Sequence, residues 1–110
     1  MAGLDVSTLL PRMIDSARGS LKDAWPETKE YAEAEFQKIG ESLLYIEQEV
    51  LAGRMTQRKA QLHVKMQKNA TKMVLLSVEG LGILAAEAAI DAALDVVKET
   101  VNTSLGIILL

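Results

Sequence analysis

Glu27, Glu30 and Glu33 stand three residues apart, and on a helix that spacing lines carboxylates along one face. Two such carboxylates can share a hard cation such as magnesium when a second helix offers a matching E-x-x-E or E-x-x-D pair. That second pair is missing, because the residues three beyond Glu79 and Glu87 are Gly82 and Ile90. A di-iron centre in a helical bundle requires Glu-x-x-His, yet the one histidine, His63, has Ala60 three residues before it. No serine lies in a Gly-x-Ser-x-Gly turn. Cysteine is absent, which removes disulfides and thiolate ligands. The chain therefore reads as non-enzymatic, with no catalytic residue, metal ligand or cofactor site expected.

Charge suggests two further features. From 50 to 78 there is no acidic residue, and Arg58, Lys65, Lys68 and Lys72 fall within a narrow sector of a helix. Such a basic ridge could follow a phosphate backbone, which makes a nucleic-acid or regulatory binding module the alternative function. Against it, residues 26–52 carry seven glutamates and two lysines, enough to neutralise the ridge within the fold. No aromatic residues interleave with the cations as a single-strand platform needs. Glu87, Asp91 and Asp95 recur every fourth residue on an otherwise apolar stretch, the pattern of a narrow solvated stripe. The net charge of −3 is too small to select a partner by itself.

The elements that must position these side chains are helices. The 110 residues are 49% hydrophobic but 4% aromatic, rich in the alanine, leucine, glutamate and lysine that lose least on entering a helix. An all-α single domain over 1–110 is expected. Helix one covers about 5–20, where Val6, Leu10, Met13, Ala17 and Leu21 recur at helical spacing despite Pro11. Helix two covers 26–52, opened by Pro26 and closed by Gly53. Helix three covers 57–103 behind Thr56 as cap, with Gly80 and Gly82 as the point where it could break.

Helices two and three share a heptad rhythm, which predicts a long antiparallel, coiled-coil-like hairpin. Phe36 is paired with Asn69, Ile39 with Met66, Leu43 with Leu62 and Val50 with Met55. The same register sets Glu35 opposite Lys72 and Glu49 opposite Arg58, and brings the Trp25 indole over Gly80.

Beyond Gly82 the expected helix outruns the hairpin by about twenty residues, roughly 30 Å at 1.5 Å per residue. Its surface is apolar or small on most sides, and a short N-terminal helix can cover only one of them. A homo-oligomer completing the bundle is the expected cover, with Ile83, Leu84, Ile90, Leu94, Val97 and Val101 as its interface. The function expected is thus that of a self-associating helical interaction or assembly protein. Another protein partner is compatible with it; nucleic acid is the weaker alternative. The uncharged tail from 101 to 110 is too short to span a bilayer and leaves a membrane-surface accessory role as a third reading. The N-terminal segment lacks the basic start and apolar core of a secretory signal, so the cytoplasm is the expected location.

Overall fold

The computed structural model describes residues 3–110, and every regular element among them is helical. Asp5 opens α1 (Val6–Leu21) by accepting a 2.9 Å hydrogen bond from the Ser7 amide, which satisfies a donor that the first helical turn leaves free. A 3-10 turn (Lys22–Ala24) leads into α2 (Trp25–Leu51), with Pro26 in the first turn where its missing N–H costs nothing. Gly53 takes φ +75°, a left-handed conformation that suits glycine. Thr56 then caps α3 (Gln57–Leu75) by accepting from the Lys59 amide.

The long third helix expected over 57–103 is three helices. It stops at Leu75 and turns through residues 76–82, with Gly80 at φ +86°. It resumes as α4 (Ile83–Asp95), bends again at Val96 and Val97, and ends with α5 (Lys98–Leu105). Open space surrounds the position a Gly80 side chain would occupy, so the expected fit of Trp25 against Gly80 is not made. The backbone reversal, rather than a bulky neighbour, is what requires glycine there.

Because the chain reverses at 76–82, α4 folds back instead of projecting beyond the bundle. The α1 helix packs on α2 and α4, and α3 packs on the same two. Each neighbouring pair is antiparallel. Val6 meets Gly40, Ser42 meets Gln67, Lys72 meets Glu87, and Ser16 donates to the Ala92 carbonyl. The result is an up-down-up-down four-helix arrangement. Leu9, Met13 and Ala17 of α1 are buried together with Phe36, Ile39, Leu43 and Ile46 of α2 and the small Ala86, Ala89 and Ala93 of α4. The alanines let α1 approach α4 closely.

At one end of the bundle α5 lies on α2. Its Ser104 hydroxyl donates to the Glu47 carboxylate, which also accepts from the Leu4 amide at 3.0 Å. Glu47 is buried, and these bonds tie the N-terminal segment, α2 and α5 to one point. The tail folds back onto α5, where the Asn102 side chain accepts from the amides of Leu109 and Leu110.

Candidate interaction surface

Helix α3 carries two possible inward faces, and the structure uses the smaller one. Ala60, Val64, Thr71 and Leu75 are buried, with Gln67 half-buried among them. The heptad residues expected in the core point outward instead: Leu62 is 52% exposed, Met66 69% and Met73 67%. The expected pairs of Phe36 with Asn69, Ile39 with Met66 and Leu43 with Leu62 are therefore replaced. Across α2 and α3, Ser42 meets Gln67, and the Tyr45 and His63 rings lie 6.2 Å apart.

Two ion pairs accompany this orientation of α3. Lys68 lies 3.6 Å from Asp91, and Lys72 lies 3.4 Å from Glu87. Turning this cationic side toward α4 brings Gln67 and His63 to the α2 side and leaves Leu62, Met66 and Met73 facing away from the bundle. The cross-helix pairs expected with α2 do not form. Glu35 bonds instead to Lys38 one turn along its own helix at 2.8 Å, and Glu49 bonds to Arg54 at 2.7 Å. That contact to the guanidinium holds the Glu49 carboxyl below its ordinary range and raises Arg54.

Of the basic ridge, then, Lys68 and Lys72 are partnered by α4, while Arg58 and Lys65 are exposed. Lys65, Lys68 and Lys72 line a groove of about 770 Å³ between α3 and α4, opposite Glu87, Asp91 and Asp95. Val64, Ile90 and Leu94 also line it. Lysines of α3 face carboxylates of α4 across it, with Lys98 also in its lining, so the two signs largely offset each other.

The expected oligomer residues divide. Ile90, Leu94, Val97 and Val101 are buried within the chain itself, covered through the fold-back of α4 and α5. Ile83 and Leu84, at the start of α4, are 57% and 82% exposed. Glu27, Glu30 and Glu33 are exposed on α2. Among the described residues no group of three His, Cys, Asp or Glu side chains could hold a metal ion, and no helix is long and apolar enough to cross a membrane.

An unpartnered apolar surface lies on the outer face of α2 and α3. Besides Leu62, Met66 and Met73 of α3 it includes Tyr45 and Tyr31 of α2, 50% and 46% exposed. Tyr31, Lys38 and Tyr45 follow one another at heptad spacing, on the side of α2 away from Phe36 and Leu43. Sequence reasoning missed both tyrosines because they fall outside the heptad series that was read as core. Their signal was the seven-residue interval itself. Comparison of the chain with protein-family models, curated proteins and solved structures gave no match.

Proposed function

We propose that this chain is a non-enzymatic helical interaction protein that associates with itself. The observation that carries the reading is the outward stripe of Leu62, Met66 and Met73, joined by Tyr45 and Tyr31. If a fully exposed large side chain presents about 200 Å², these five expose on the order of 500–600 Å². With a polar rim added, that approaches the roughly 800 Å² per partner of a standard interface. The stripe keeps a coiled-coil rhythm that its own bundle leaves unused. Ile83 and Leu84 remain exposed at the start of α4, whereas Ile90, Leu94, Val97 and Val101 are buried within the chain.

A nucleic-acid role is the weaker reading, since α4 carboxylates already partner Lys68 and Lys72. A membrane-surface role would need the apolar tail, but Leu105 and Leu109 are buried and the Asn102 side chain holds the tail amides of Leu109 and Leu110. The cytoplasm is the compartment we propose, where a chain without cysteine forgoes nothing by lacking disulfides. Sedimentation equilibrium at low micromolar concentration tests the reading. A mass at or above twice 12.0 kDa is expected, and a stable monomer throughout the range would refute it.

A further inference from the structure

We propose that Met66 and Met73 form a peroxide-sensitive modification site, and that oxidising them to sulfoxides dissolves the assembly. The inference rests on the self-association proposed above and adds a chemical control of it.

The chain contains no cysteine, so no thiolate competes for an oxidant and all of its sulfur is thioether. Four methionines fall among the described residues, and the fold sorts them into two classes. Met13 has no exposed surface and Met55 is 8% exposed, whereas Met66 and Met73 are 69% and 67% exposed. Susceptibility to peroxide follows exposure, so the first two are protected and the last two are not. Both accessible residues lie on α3, and the seven-residue interval between them is two helical turns along one face. Ala70, between them on that face, is small and itself exposed. The accessible thioethers are therefore the two that stand on the stripe proposed to meet a second copy.

The step needs a hydroperoxide as oxidant. The thioether sulfur attacks the terminal oxygen, and an S–O bond forms as the O–O bond breaks. Sulfur gives up two electrons and the peroxide is reduced. The departing oxygen takes the proton of the transferred hydroxyl and leaves as water, or as an alcohol from an organic peroxide. A flexible apolar side chain thereby becomes a polar, chiral one. Within the apolar centre of an interface, between Leu62 and the tyrosines of α2, a sulfoxide oxygen loses its water without gaining a partner, which opposes assembly. Every copy carries both residues, so the opposition acts from each side. Association in turn covers the site, so oxidant reaches it in the monomer and holds the chain there.

The test treats the whole chain with hydrogen peroxide, maps sulfoxides by peptide mass spectrometry and follows the same samples by sedimentation equilibrium. At dilutions where monomer dominates, Met66 and Met73 should oxidise at least about tenfold faster than Met13 and Met55. Raising the concentration into the associated range should slow both about threefold or more. Chains oxidised at 66 and 73 alone should associate about tenfold more weakly than the untreated chain, with unchanged far-UV circular dichroism. Met66→Leu combined with Met73→Leu, read against its own untreated sample, should lose the response to peroxide. Three results would overturn the inference while self-association stood: equal oxidation of all four methionines, an oxidised chain that associates as before, or a response to peroxide that persists in the leucine variant. A parent chain that is monomeric at every concentration would overturn both.

Discussion

The rotation of α3 can be tested by comparing substitutions on its two faces. Leu75 has no exposed surface, so Leu75→Ala removes buried carbon atoms and leaves a space that its neighbours fill only in part. The expected cost is about 2–5 kcal/mol. Met73 sits only two residues earlier, yet two-thirds of its surface already meets water. The aliphatic stem of a lysine can cover most of the remaining contact, so Met73→Lys should change stability by no more than about 0.5 kcal/mol. Met66→Lys should behave alike. Urea unfolding followed by far-UV circular dichroism gives both values. It should be run dilute enough that monomer dominates, since loss of dimer would otherwise register as loss of stability. If Met73→Lys costs more than about 2 kcal/mol while Leu75→Ala is nearly neutral, α3 is turned the other way and the outward stripe is core.

Two further outcomes follow from the polar anchors. Glu47 accepts from the Leu4 amide and the Ser104 hydroxyl in a buried setting, so Glu47→Ala should cost about 2–4 kcal/mol and Ser104→Ala about 1 kcal/mol. A Glu47→Ala protein within 0.5 kcal/mol of the parent would refute that anchoring. Hydrogen bonds from Ser7 to Asp5, and from Arg54 to Glu49, hold both carboxyls below their ordinary values of 3.8 and 4.5. The stability they add is complete above those values and is lost as pH falls through the lower folded ones. The melting temperature should therefore decline on acidification below about 4.5, and Glu49→Gln combined with Asp5→Asn should shallow that decline. An unchanged slope would show that neither contact is present in solution.

The helical class was legible because it depends on composition and on short-range pattern, both of which the chain states plainly. Local signals also act as their chemistry suggests: Thr56 and Asp5 cap helices, and Pro26 sits in a first turn. What could not be read was the choice between alternatives that local pattern leaves equal. Leu62, Met66, Met73 and Leu76 make a more apolar series than Ala60, Val64, Thr71 and Leu75, so hydrophobic periodicity alone favours the wrong face of α3. The tertiary contacts of the observed face, Lys68 with Asp91 and Lys72 with Glu87 among them, exist only once the chain has reversed at residues 76–82. The bend at Val96 and Val97 carries neither glycine nor proline, so it gave no signal at all.

The misreading of α3 bears on the candidate surface. A heptad series is a statement that a helix has an apolar seam, and it does not say whose helix fills it. Here the intramolecular partners α2 and α4 take the face with small residues, where close approach and the lysine–carboxylate pairs are both satisfied. The larger side chains are left on the outside at an exposure of 52–69%. For α4 and α5 the opposite holds: Ile90, Leu94, Val97 and Val101 invite a second subunit on paper but are buried by their own chain. Reversal of the backbone around Gly80 thus exchanges the two surfaces. It brings the most apolar segment inside and turns the amphipathic one out, which moves the proposed self-association from residues 83–110 to the α2–α3 face.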